Sequence, residues 1–342
     1  MVFQIIWFIL WGVLWAVFFM LEGFDFGAGI LHGFLGRNET EKSIIRRSIG
    51  PVWDGNEVWL ITAGGATFAA FPATYALMFS YLYSALLIIL FALIFRGVAV
   101  EFRGKGESAA WKKSWDAALF LGSFLPALFF GVAFGNIFQG LPMDAGGYHG
   151  TLFTLLNPYG ILTGLVFVLL FVVHGALWIA LKTEGDLSKR ASELAGGIWY
   201  ALLMIAVIFL ASTKFATNLY DNYFGNVIWL TVPVIAVLSL IVMKVFVAKG
   251  HILKAFFSSC LTIVTVIFTG VVGLYPNLIP SNTDPRYSLT IFNSSSSAYT
   301  LKIMTVVALL FVPVVIAYQI WTYRVFRHKV TAEEIASEGE SY

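Results

Sequence analysis

The chain has 342 residues, 59% of them hydrophobic and only 12% charged, with 32 phenylalanines and 11 tryptophans. That mix excludes a soluble globular domain and points to an integral membrane protein. A formal net charge of +2 gives no drive toward nucleic acid, and a single cysteine, Cys260, excludes an intrachain disulfide or a cysteine-ligated cluster.

The opening run "MVFQIIWFILWGVLWAVFFM" has no positive leader and is too long for the core of a signal peptide, so it reads as a retained first span. Apolar stretches of roughly 20 residues, the bilayer-crossing unit, are predicted at 5–31, 52–71, 75–99, 116–138, 159–181, 196–216, 227–248, 254–275 and 301–323. The segment 52–71 carries Asp54 and Glu57 and abuts Pro72, which leaves a re-entrant alternative open. Charge placement favours a crossing. With nine spans and the N-terminus outside, every lysine and arginine of the 21 except Lys214, Arg286 and Lys302 falls on the cytoplasmic side. If 52–71 failed to cross, two strongly basic neighbouring loops would face opposite sides.

The expected fold is all-α: two four-helix bundles, 1–140 and 141–276, followed over 277–342 by an outer loop, a peripheral ninth helix and a cytoplasmic tail. The outer connections "QGLPMDAGGYHG" and "YPNLIPSNTDPRYSLTIFNSSSSAY" are rich in turn formers, and the tail "TAEEIASEGESY" is polar and expected to fray.

On this topology, Glu22 and Asp25 in "LEGFDFGAGILHGF" lie in the cytoplasmic half of span one, and Asp54 and Glu57 at the cytoplasmic start of span two. Each pair is spaced i, i+3 on one helix face. Arg96, Glu101 and Asp116 stand at the inner ends of spans three and four. Ionisable groups at such depth cost several kcal/mol unless paired, protonated or hydrated, and so belong inside the protein. Two readings stand level: a cytoplasmic proton or cation route through Glu22, Asp25, Asp54 and Glu57, or an ion-paired knot, with Arg96 as partner, that locks the first four helices. The glycines of "GFDFGAGI" and "TAGGATF" read as packing positions, and tryptophans near span ends as interfacial anchors.

Of five histidines only His174 lies within a span, and a bis-histidine haem or metal cage needs two ligands converging at one depth. His174 therefore reads as a satisfied core histidine, and no cofactor or metal is expected on this chain alone.

The blocks "GFDFGAGIL", "GPVWDGNEVWLITAGGATFAAFP", "WDAALFLGSFLPALFFGVAFGNIFQG", "LLNPYGILTG" and "GLYPNLIPS", in that order along nearly the whole chain, resemble subunit II of the bacterial cytochrome bd-type quinol oxidases. The connection "TNLYDNYFGN" is longer in some relatives. The resemblance implies a partner, subunit I, carrying two b-type haems and one d-type haem, with quinol and dioxygen as substrates, a lipid environment and room for a small single-helix accessory subunit. It implies a haem-free supporting role for this chain, in a complex that takes protons for water from the cytoplasm. The rival readings are a proton- or cation-coupled secondary transporter, a self-sufficient haem protein and a purely structural assembly subunit.

Overall fold

Long apolar runs bounded by polar caps set the architecture of the computed structural model, which describes residues 1–338. Helix α1 spans Val2–Leu35. Past Gly36, Asn38 caps α2, Glu39–Ile49, by accepting from the Glu41 backbone N–H. This amphipathic helix, absent from the sequence expectation, buries Ile44, Ile45 and Ile49 against the bundle and keeps its acidic first turn at the surface. Pro51 introduces α3, Trp53–Ala70, and Pro72 opens α4, Pro72–Tyr81. The predicted span 75–99 is built from two successive helices, α4 and α5, Tyr83–Phe102, which meet at Leu82.

Ser108 caps α6, Ala109–Gln139, and Asn157 caps α8, Pro158–Lys182; the single turn α7, Leu152–Leu155, lies between them. Then follow α9, Gly185–Ala216; α10, Tyr220–Gly225; α11, Thr231–Ala248; α12, Ile252–Leu274; and α13, Ala298–Val325. Among the described residues eight helices are long and apolar enough to cross a membrane. The predicted segment 52–71 forms α3, but Asp54, Asn56 and Glu57 hold its mean hydropathy below theirs. The predicted spans 5–31, 116–138, 159–181, 196–216 and 301–323 fall within longer helices, while 227–248 opens on a 3-10 turn, Val227–Leu230, before α11, and 254–275 runs one residue past the end of α12.

Helices α1 and α8 form the centre. They touch at Gly27 and Gly175: a Cβ on Gly27 would sit 1.9 Å from the Phe171 carbonyl oxygen, and one on Gly175 within 2.5 Å of the Gly27 backbone. Only glycine lets two backbones meet this closely. Around this crossing α1 also packs on α3, α6 and α12, while α8 packs on α6, α9 and α12. The periphery pairs α5 with α6 and α11 with α12.

The last long helix, α13, is different. Only Leu301 along it is buried, and it leans on α1 and α3. Trp7 Nε1 donates to the Leu301 carbonyl and to Thr305 Oγ1 near one end, and Gln319 and Tyr323 reach α3 near the other. Between these ends an apolar groove of about 410 Å³ separates α13 from α1 and α3.

Two antiparallel hairpins cap the end opposite α2: β1, Met143–Asp144, with β2, Gly147–Tyr148, and β3, Asn277–Ile279, with β4, Leu289–Thr290. Ser281 Oγ donates to the Met143 carbonyl and Leu141 N–H to the Pro280 carbonyl, which joins the two connections. At the α2 end the tail does not fray at once: Thr331 caps α14, Ala332–Glu338, which packs back on α2. The rest of the expected frayed tail, 339–342, lies outside the described residues.

Candidate functional site

The α1–α8 crossing fixes the depth of the α1 acids, since Asp25 is two residues from Gly27. Both Glu22 and Asp25 are fully buried. Glu22 Oε1 pairs with Nη1 of Arg96 on α5, and the same guanidinium donates through Nη2 to Glu57 Oε2 on α3 at 3.0 Å. Arg96 is itself 1% exposed and lies 4.9 Å from the centre of the Phe26 ring. Three helices are thus tied through one guanidinium.

Asp25 takes a different partner. Its Oδ2 accepts from Asn56 Nδ2 at 2.7 Å, and its Oδ1, also buried, has no hydrogen-bond partner among the described residues. The Asn56 amide oxygen in turn accepts from Tyr323 Oη at 2.7 Å and from Gln319 Nε2 at 3.4 Å, while Gln319 Oε1 accepts from Trp59 Nε1 at 2.7 Å. The cluster holds three carboxyls, Glu22, Asp25 and Glu57, around one arginine. A single guanidinium can offset one negative charge fully, so the surplus must be met by protons or water in a low-dielectric interior.

The sequence-predicted residues do not all meet. Asp54 stands exposed at the start of α3, where its Oδ1 accepts from the Gly55 N–H at 2.7 Å. Glu57, one turn deeper, is partly open beside a groove of about 360 Å³ that Trp53 and Glu101 also line. The order of burial is therefore Asp54, then Glu57, then Glu22 and Asp25.

Asp116 belongs to a separate cluster at the α2 end, tied to Arg103, to Lys42 Nζ at 2.8 Å, and facing His32 Nδ1 at 3.6 Å. Arg103 Nη2 also reaches Glu39 at 3.0 Å. Partial burial works against ionising Glu39, yet Arg103, with Lys112 and Lys42, holds its carboxyl below the ordinary 4.5. This second cluster bolts α2 to α5 and α6.

Asn56, Gln319, Tyr323, Lys42 and Arg103 were missed as site residues by the sequence reading. Asn56 had a signal, an amide between two acids in a membrane segment. Tyr323 had none beyond its place at the end of a span.

His174 is buried with both ring nitrogens engaged, Nδ1 with Ser259 Oγ at 2.6 Å and Nε2 with the Met20 carbonyl oxygen at 2.9 Å, and its ring stacks on Phe256 at 4.7 Å. Among the described residues there is no group of three or more His, Cys, Asp or Glu side chains able to hold a metal ion.

A polytopic helical core with glycine-mediated crossings and buried acids around one arginine defines a multi-pass helical membrane protein. Residues 3–326 match the family described as cytochrome bd terminal oxidase subunit II. The chain is 40% identical to the cytochrome bd ubiquinol oxidase subunit 2 of Bacillus subtilis, over 96% of this chain and 97% of that one. It is 36% identical to the cytochrome bd-I ubiquinol oxidase subunit 2 of Escherichia coli K12, over 99% and 98%. In fold it is similar to a chain of the bd oxidase from Geobacillus thermodenitrificans, with a TM-score of 0.79 at 18% identity, covering 95% of this chain and 99% of that one. The protein belongs to the cytochrome bd oxidase subunit II family and is a multi-pass protein of the bacterial cytoplasmic membrane.

Proposed function

We propose that this chain is the haem-free subunit II of a bacterial cytochrome bd-type quinol oxidase. It supports a subunit I that carries two b-type haems and one d-type haem, oxidises quinol and reduces dioxygen to water. The family relationship, over nearly the full length of relatives so named, supports this reading. Membrane lipid surrounds the pair, and a small single-helix accessory subunit is compatible with it.

In this reading α3 crosses as the second of nine spans, the N-terminus is outside, and the α2 end, where all but three lysines and arginines gather, is cytoplasmic. The chain divides into bundles 1–140 and 141–276 and a peripheral unit, 277–342.

Within that frame Asp54, Glu57, Glu22 and Asp25 form a cytoplasmic proton uptake route, graded from exposed to buried, while Arg96 orients the inner acids. The observation that carries it is the excess of buried carboxyl over guanidinium, together with the unpartnered Oδ1 of Asp25. Asp116, held by Arg103 and Lys42, steadies the α2 end of the same helices. The Arg96 bridge between Glu22 and Glu57 favours a second reading, a helix-locking knot. Asp25→Asn in the assembled, fully haem-loaded oxidase separates them. Proton conduction requires slower turnover and proton uptake at full haem content. Unchanged rates would remove the route, and loss of haem would favour the knot.

A further inference from the structure

Tyr323 has one face on the Asn56–Asp25 network and another on a polar cavity of about 300 Å³ at the α2 end. The cavity lies beneath the C-terminal strap, the segment from Phe326 through α14 that folds back over α2 and α8. Val330 N–H donates to the Lys182 carbonyl, and Lys182 Nζ donates to the backbone carbonyls of Phe326 and of His328, the latter at 2.7 Å. Glu334 closes the mouth, 3.6 Å from Arg47 Nη2 and 3.4 Å from His328 Nε2. Charged groups thus share the lining with Trp178, Val52 and Tyr323. A space this size with several polar partners has room for multiple waters, each needing roughly 30 Å³ and two to four hydrogen-bonding groups.

The geometry points to a second opening to Asp25: the cavity under the C-terminal strap admits water to Tyr323, and Tyr323 is a positioning residue that presents Asp25 to that water. This rests on the reading of Asp25 as a proton acceptor. It differs from the Asp54–Glu57 approach, which starts from the opposite flank of α3 beside α5. Tyr323 Oη donates to Asn56 Oδ1, which fixes the amide with its N–H toward Asp25 Oδ2 and leaves Oδ1 as the carboxyl oxygen without a protein partner. The proton moves on water. An O–H bond of a hydronium ion breaks as the O–H bond on Asp25 forms, a water molecule is left behind, and neither the Tyr323 phenol nor the Asn56 amide gives up a proton.

Phe326 lines the cavity with a side chain open to solvent, so it offers a plug site. The test uses the complete oxidase carrying Cys260→Ser and Phe326→Cys in inside-out vesicles, treated with a cationic, membrane-impermeant methanethiosulfonate, with the unlabelled sample as its own reference. We expect labelling to lower turnover and proton uptake at least fivefold with haem content unchanged, and both to recover once a thiol reductant removes the label and is washed out. A labelled enzyme that keeps its unlabelled rate, or an introduced thiol that the reagent never reaches, overturns the proposal. Tyr323→Phe should slow uptake at full haem content, and full-rate uptake in that variant removes the positioning role. Asp25→Asn measured in parallel separates the two claims: if it abolishes uptake while the plugged enzyme runs freely, Asp25 stands and this opening falls. If Asp25→Asn runs at full rate, the acceptor itself falls.

Discussion

Asn56 on α3 holds Asp25 on α1 by a 2.7 Å hydrogen bond and, through its other amide atom, is held by Tyr323 of α13. One amide therefore joins an acid to two helices, because its N–H donates to the acid while its oxygen accepts from Tyr323. Asn56→Leu should lose a hydrogen bond to a charged or chargeable partner, about 1.5–3 kcal/mol, and free the foot of α13. The check is thermal dissociation of the purified complex, with a lower midpoint than the parent, and slower proton uptake at room temperature in the surviving complex.

Arg96 cannot be removed quietly. Arg96→Leu leaves Glu22 and Glu57 without their cation in a buried setting, a change of about 3–5 kcal/mol. The expected outcome is loss of assembled, haem-bearing oxidase from the membrane. The triple change Arg96→Leu, Glu22→Leu, Glu57→Gln should restore assembly in part while leaving proton uptake slow.

The α1–α8 crossing tolerates no side chain. Gly27→Leu or Gly175→Leu would push a Cβ into backbone at 1.9–2.5 Å, so the helices must separate. Overpacking of cores costs about 1–3 kcal/mol, and here it displaces Asp25 as well. Reduced yield of the complex is expected, whereas Gly197→Ala on α9, where a Cβ meets nothing within 4 Å, should behave as the parent.

Glu39 gives a pH signature. Its folded carboxyl titrates below 4.5, so its contribution is complete above pH 4.5 and fades as pH falls through the lowered value. Its side chain is 52% exposed, which limits the pairing to roughly 0.2–1 kcal/mol. Glu39→Gln should lower the thermal midpoint at neutral pH and converge with the parent near the acid limit, leaving proton uptake at neutral pH unchanged.

Without subunit I the purified chain should show no Soret band on adding haem, because both nitrogens of His174, buried in α8, are engaged by Ser259 and Met20, and His32, buried at the α2 end of α1, faces Asp116. A stoichiometric Soret band that is lost in His174→Ala would overturn this.

Hydropathy located the long helices because bilayer length is written directly into apolar runs, and every predicted segment contains a helix. The same signal overlooked α2 and α14, which are too short and polar to register, and the break at Leu82, which interrupts an otherwise uniform apolar stretch. At the site, Glu22 and Asp25 were legible because their i, i+3 spacing fixes a shared face on a straight helix. Asp54 and Glu57 share that spacing, but Asp54 sits in the first turn of α3, where the helix has just emerged from Pro51, and the inward position goes to Asn56. Gln319 and Tyr323 lie 263 and 267 positions from Asn56 in sequence, and their meeting depends on where α13 docks, which the long apolar middle of that helix does not encode.

That docking has a mechanical side. In lipid, apolar side chains gain little by leaving the bilayer for one another, so the broad flank of α13 contributes weakly to its own placement. Trp7 at one end and the Asn56–Gln319 pair at the other act as two pins on a rod, with the 410 Å³ groove as the slack between them. A rod pinned this way answers a thicker or thinner bilayer by pivoting rather than sliding. The pin at the Asn56 end is also the contact that bears on Asp25, so the seating of α13 and the placement of that acid are mechanically one thing.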